Sequence, residues 1–167
     1  NKQWLVLVGS VLLLSYPWMA SAETKAPANT PQDPLTQLEQ RAQNGDVDAQ
    51  AELGTAYALG KGAPQDYEIA RKWLLPAAAK GRADAQTVLG YIYRDGLGVS
   101  KDFTEAAKWF QAAATQGLAS AQTNLAMLYK NGQGVAQSDR EALKWFVRAA
   151  EQGDVYAQTN VGLIYEA

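Results

Sequence analysis

The sequence predicts an all-α solenoid of antiparallel helix pairs, and three observations carry that prediction. Five residue types keep one register of 36 residues: Gly45, Gly81, Gly117 and Gly153; Ala49, Ala85, Ala121 and Ala157; Gln50, Gln86, Gln122 and Gln158; Tyr57, Tyr93, Tyr129 and Tyr165; and Trp73, Trp109 and Trp145. Within each unit, small and apolar residues recur at helical spacing in two blocks, as Ala85, Leu89 and Tyr93 do at four-residue intervals. Between the blocks stand Gly60/Gly62, Gly96/Gly98 and Gly132/Gly134, which supply turn conformations that other residues resist. The repeated residues serve packing and turns, so function resides in the positions that vary.

Composition bounds the class. The 167 residues are 47% hydrophobic and 19% charged, which suits a chain with a real core. A net charge of -2 without a Lys/Arg-rich patch argues against nucleic acid as a partner, since phosphate binding needs concentrated positive charge. Cysteine is absent, which removes disulfides, thiol catalysis and zinc clusters. Histidine is absent too, and with it the commonest metal ligand and general base.

Residues 1–22 stand outside the repeat. Lys2 precedes an apolar run from Trp4 to Leu14, then Pro17 and the small triplet Ala20-Ser21-Ala22, the pattern of a secretory signal peptide with cleavage after Ala22. The run is too short for a membrane span, which needs roughly 20 apolar residues, so no stable membrane insertion is expected after cleavage. The expected location is periplasmic or secreted. Removing this segment takes away one basic residue, Lys2, and leaves 14 basic and 17 acidic residues, a net charge of -3.

Residues 23–33 hold Pro27 and Pro31 among small polar residues and read as a disordered linker. Residues 34–44, with Leu35, Leu38 and Ala42 on one stripe, read as an N-terminal cap helix in the register of a second repeat helix. Three full units follow, at 45–80, 81–116 and 117–152, and a partial fourth at 153–167. In the second unit the first helix is expected over Ala83 to Asp95, stopped by Gly96. Second helices start at Asp66, Asp102 and Ser138; the latter two are followed by Glu105 and Glu141 at capping-box spacing. Pro76 is expected to kink the second helix of unit one. The tryptophans, beside Leu74, Phe110 and Phe146, fill the gap between successive pairs, while Gly54, Gly90, Ala126 and Gly162 let helices approach closely. Strict repetition of the tyrosines fits core packing with the phenol reaching a turn carbonyl.

The pattern Ala-x-Ala-Gln-x-x-Leu-Gly-x-x-Tyr, then Gly-x-Gly-Val, then Ala-x-x-Trp-Phe and Ala-Ala-x-x-Gly resembles the Sel-one-like repeat family over residues 45 to 167, nearly three quarters of the chain. Ala63 departs from the turn pattern in unit one. The resemblance implies a right-handed α/α superhelix similar to tetratricopeptide arrays, and a role as an adaptor in signalling or protein quality control rather than as an enzyme. Some members staple each repeat with a disulfide; this chain holds its units by packing alone.

In such arrays the first helices line the concave groove, and their non-pattern positions fall at i, i+3, i+7 and i+10. Here those are Asp48, Ala51, Thr55 and Ala58; Asp84, Thr87, Tyr91 and Arg94; Ser120, Thr123, Met127 and Lys130; and Tyr156, Thr159, Leu163 and Glu166. Hydroxyls, aromatics, a methionine and two cations suit an extended peptide, with Thr87, Tyr91, Arg94, Thr123, Met127 and Lys130 as the candidate binding residues and the cations reading a carboxylate. Against this stands packing of Tyr91, Met127 and Leu163 on neighbouring helices, with Arg94 and Lys130 as helix-end charges favoured by the dipole. Asn124 and Asn160 fit a structural role better than a peptide-binding one.

Enzyme chemistry finds few of its groups. The Gly-x-Gly turns lack the third glycine of a dinucleotide fingerprint, no phosphate loop or Ser-x-x-Lys pair occurs, and Asp46 and Asp48 sit where a helix start favours acids. The expected function is an exported, non-enzymatic adaptor that binds a protein or peptide, with no cofactor and no metal. The alternative is an exported hydrolase or cell-wall glycan binder stacking sugars on exposed tyrosines. The fourth unit has only its first helix, whose apolar face further chain, a partner or self-association would cover.

Overall fold

The computed structural model describes residues 33–165; the expected signal peptide over 1–22 and the expected linker up to residue 32 lie outside the described residues, as do Glu166 and Ala167. The described residues form eight helices and no strand: α1 (Pro34–Gln43), α2 (Val47–Leu59), α3 (Tyr67–Ala79), α4 (Ala83–Asp95), α5 (Phe103–Thr115), α6 (Ala119–Asn131), α7 (Asp139–Glu151) and α8 (Val155–Tyr165). This is the all-helical repeat solenoid that the 36-residue period predicts. Each helix packs on the next in sequence, and α2 also packs on α4.

Local chemistry explains why the helices stop and start where they do. Gly60, Gly96 and Gly132 end α2, α4 and α6 in the left-handed conformation, at φ of 66°, 73° and 64°. The second helices begin at side-chain caps: Asp66 accepts from the Ile69 amide at 2.9 Å, Asp102 from Glu105 at 2.9 Å and Ser138 from Glu141 at 3.2 Å. The expected capping boxes are only half formed. The backbone amides of Asp102 and Ser138, which a box glutamate would take, already donate to the carbonyls of Tyr93 and Tyr129 at 2.9 Å. Glu105 and Glu141 are therefore left to pair with Lys108 and Lys144. Pro76 is exposed and stands inside α3, which nevertheless runs for 13 residues, as α5 and α7 do.

The repeated glutamines and tryptophans join unit to unit. Gln50, Gln86, Gln122 and Gln158 donate through Nε2 to the carbonyls of Ala42, Ala78, Ala114 and Ala150, at the end of the preceding second helix, at 3.0–3.2 Å. The side-chain oxygens of the buried Gln86 and Gln122 in turn accept from Gln116 and Gln152 at 2.8 Å, so at these two positions the glutamine's polar ends are both bonded. Trp73 packs against the buried cluster of Ala42, Ala49 and Leu53, as Leu35 and Leu38 of α1 do, and Trp109 against the cluster built from α2, α3 and α4. Each ring thus reaches back onto the preceding pair. A Cβ added at Gly90 would come within 2.5 Å of the Phe110 ring, which is why the position facing that ring is glycine.

The tyrosine expectation needs correction. The Tyr57 phenol donates to the Glu39 carboxylate of α1 at 2.9 Å rather than to a turn carbonyl, and burial and Glu39 together raise its pKa. What reaches across the turn is the tyrosine's own main-chain carbonyl, which takes the amide of the next helix cap at Tyr57, Tyr93 and Tyr129. On α8 the glycine of this register, Gly162, meets nothing within 4 Å, and Val155, Leu163 and Tyr165 are exposed.

Candidate functional site

Side chains of successive first helices meet along one surface, which makes α2, α4, α6 and α8 a common wall. Arg82 at the start of α4 pairs with Asp48 of α2 and with Asp84. Asn124 of α6 donates to the Tyr91 hydroxyl at 3.1 Å and accepts from Arg94, both on α4. Lys130 of α6 donates to Asn160 of α8 at 3.0 Å, and the Tyr156 hydroxyl of α8 donates to the Met127 sulfur at 3.4 Å.

Between α4, α6 and α8 this wall encloses a pocket of about 310 Å³. Arg94, Asn124, Met127 and Tyr156 line it, and Asn131 and Gln133 close the end where the turn of unit three begins. The Arg94 guanidinium is held on three sides: Nε and Nη2 donate to Asp95 at 2.8 and 2.6 Å, Nη1 donates to Asn124, and the group lies 4.9 Å from the Tyr91 ring centre. Tyr91 is fixed in turn by an edge-on contact with Phe110, with ring centres 5.3 Å apart. The pocket wall is therefore preorganised by second-helix packing beneath it.

Of the six candidate residues, Arg94, Met127 and Thr123 line this pocket. Tyr91 supports it from beneath, and Lys130 stands along α6 with its ammonium on Asn160. Thr87 and Thr123 differ from the expectation that both face the groove: each is under one-tenth exposed, as is Ala51 in the same register. Thr87 donates to the Ala83 carbonyl at 2.8 Å and Thr123 to the Asp154 carboxylate at 3.0 Å, so neither hydroxyl proton is free for a ligand. The i+3 position lies in the seam beneath the following unit; Thr159, over which no further unit stands among the described residues, is exposed. Asn124 and Asn160 take the structural role, each also donating to a carbonyl one turn earlier in its helix. Tyr156, Asn131 and Gln133 are pocket residues beyond the six. Tyr156 was on the non-pattern stripe, whereas Asn131 is the last residue of α6 and Gln133 stands in the turn after it, both off that stripe.

Charge along the wall is neutralised locally. The Arg94 guanidinium holds the Asp95 carboxyl below its ordinary value of 3.8, and Arg82 does the same for Asp84. A lowered folded value means that the stabilisation is present above the unfolded pKa and disappears as pH falls through the folded one. Thermal melts from pH 6 to pH 2 should therefore show the wild type losing more stability than Asp95→Asn. The difference should be only about 0.5 kcal/mol, because the pair is solvent-screened.

The fold and this wall define a helical repeat protein with a preorganised polar groove. The chain belongs to the Sel1 repeat family, whose model matches residues 47–81, 83–118 and 119–154. Among solved structures it is similar to a Sel1 repeat protein from Oxalobacter formigenes, at 39% identity and a TM-score of 0.68 over 77% of this chain and 96% of that one. It is also similar to a protective antigen of uropathogenic Escherichia coli with the same repeat fold, at 41% identity and a TM-score of 0.74 over 78% of this chain and 28% of that one. Cysteine-rich protein B of Helicobacter pylori shares the fold at 21% identity and a TM-score of 0.61, over 78% of this chain and 98% of that one. No curated protein matches the chain. Sel1 repeat proteins are generally protein-interaction scaffolds, typically without enzymatic activity. Among the described residues no helix is long and apolar enough to cross a membrane.

Proposed function

We propose that this chain is an exported adaptor that binds an extended polypeptide along the wall of first helices, centred on the pocket between α4, α6 and α8, and performs no covalent chemistry. The observation that carries the reading is the pocket itself: three consecutive units contribute to it, and its polar side chains hold one another in place before any ligand arrives. Affinity comes from covering the Met127 thioether and the Tyr156 ring, and the rigid wall spares the ligand the cost of ordering its site. Lys130 has ammonium protons left after its bond to Asn160, so it is the cation that selects a carboxylate. Arg94, already held by Asp95, shapes the pocket rather than supplying free charge. Export rests on the pattern of residues 1–22 and puts the protein in the periplasm or outside the cell; a protein or peptide ligand, not nucleic acid, follows from the charge balance.

The experiment is affinity capture from the source organism's extract, comparing the wild type with a Met127→Ala, Lys130→Ala, Tyr156→Ala triple variant. Tyr91 is left intact because it anchors Phe110 and Asn124. With equal helicity by circular dichroism, a polypeptide retained by the wild type and reduced at least about tenfold by the variant supports the reading. Equal retention by both, or retention of glycan alone, contradicts it.

A further inference from the structure

The wall of first helices changes its charge from one end to the other. At the first position of the outward stripe, successive helices carry Asp48, Asp84, Ser120 and Tyr156, so the acids stop at the second unit. At the last position of the stripe the order runs the other way, with Ala58 followed by Arg94 and Lys130. The acidic end holds an open hollow of about 510 Å³ between α2 and α4, lined by Ala51 and Val88 and by the exposed carboxylates of Asp48, Glu52 and Asp84. Arg82 is the cation that lines it, and its guanidinium is taken by Asp48 and by Asp84, the latter at 2.6 Å. Glu52 makes no ion pair or hydrogen bond among the described residues. It also borders the neighbouring hollow that holds Arg41 and Lys61, but Arg41 is held by Asp46, and Lys61 stands beyond the end of α2. Carboxylates therefore outnumber the cation at this end. At the other end Asp95 is spent on Arg94, Asp154 accepts from the Thr123 hydroxyl and the Ala157 amide, and Lys130 keeps donors to spare.

Resting on the reading above, that this wall binds an extended polypeptide, we propose that the bound segment is dipolar: its lysine or arginine lies in the hollow between α2 and α4, and its carboxylate, about five or six residues along, reaches Lys130. The apolar stem of a long basic side chain lies on Ala51 and Val88 while its charged head meets Glu52 at the rim. Thr55, which also lines the hollow, donates its proton to the Ala51 carbonyl at 2.8 Å and keeps its oxygen free to accept. The spacing follows from the repeat. From the hollow to α6 is one and a half helix steps, about 15 Å at roughly 10 Å per step. Lys130 stands further along its helix than Glu52 does on its own, by about 9 Å at 1.5 Å per residue. The diagonal of about 17 Å is the reach of about five extended residues. A segment laid the other way round sets its base beside Lys130 and its acid beside Glu52, so like charges oppose it at both ends.

The test is selection of phage-displayed random decapeptides on the intact chain, on Glu52→Lys and on the Met127→Ala, Lys130→Ala, Tyr156→Ala variant, with equal helicity checked by circular dichroism. The intact chain should enrich peptides that carry a base and an acid about five or six positions apart. Glu52→Lys should lose the preference for the base and keep that for the acid; Glu52→Gln serves the same purpose should the lysine disturb the fold. For a peptide so enriched, replacing its base by methionine should weaken binding about two- to fivefold, Glu52→Gln should do the same, and both changes together should cost no more than either alone. Amide shifts at Thr55 and Val88 of the isotope-labelled chain should vanish with the base while those at Met127 remain. Peptides that need Met127, Lys130 and Tyr156 but carry no such base, or whose base is indifferent to Glu52, overturn the dipolar ligand and leave the polypeptide reading standing. No enrichment on the intact chain, or enrichment that the triple variant leaves unchanged, overturns both.

Discussion

Phe110→Ala is expected to destabilise the protein by about 3–5 kcal/mol, more than truncation of any half-buried side chain that lines the pocket. The ring is fully buried, rests in the gap left by Gly90 and meets Tyr91 edge-on, so its removal leaves a cavity that the glycine opposite cannot fill. Solvent denaturation should show the midpoint falling accordingly. The loss also reaches the pocket, because Tyr91 loses the ring that fixes it and Asn124 and Arg94 lose a fixed Tyr91. A loss below about 1 kcal/mol would mean that the packing of α4 on α5 relaxes freely and that the wall is not preorganised. Phe110 also belongs to the buried cluster that includes Leu125 of α6 and Phe146 of α7, so its loss reaches the coupling of unit two to unit three as well.

The second large effect separates backbone conformation from close approach. Gly62 and Gly134 occupy the same turn position with φ of 77° and 70°. A Cβ at Gly62 meets open space, whereas one at Gly134 would overlap the Phe103 carbonyl of the preceding unit. Gly62→Ala should therefore cost only the left-handed penalty, about 1–2 kcal/mol, and Gly134→Ala should add overpacking against main chain, for about 3–4 kcal/mol in all. Equal losses at the two positions in thermal or chemical denaturation would show that the turn of unit three does not bear on α5.

Much of the fold was legible because 36-residue periodicity fixes which face of each helix is buried within its own unit. The boundaries of α4, the glycine stops and the second-helix caps followed from local chemistry that needs no tertiary information. What the period does not contain is the rotation between units. That rotation lays the next unit over the i+3 stripe, and so Thr87 and Thr123 are buried where a single helix viewed alone presents them outward. It also brings Arg94 and Asn124 together, residues 30 apart whose pairing no helical spacing encodes. The capping boxes failed for a related reason: the tyrosine carbonyl of the first helix reached the cap amide before the glutamate did.

The most direct test of the central claim, that the wall of first helices binds a polypeptide, is site-specific photocrosslinking in the source organism. A photoreactive residue is placed at Met127 in the pocket and, as a control, at Lys108 on the exposed surface of α5. The account predicts a discrete protein adduct from position 127, lost when Tyr156 and Lys130 are also replaced, and none from position 108. An adduct from position 108 alone, or no protein adduct from position 127, would contradict it.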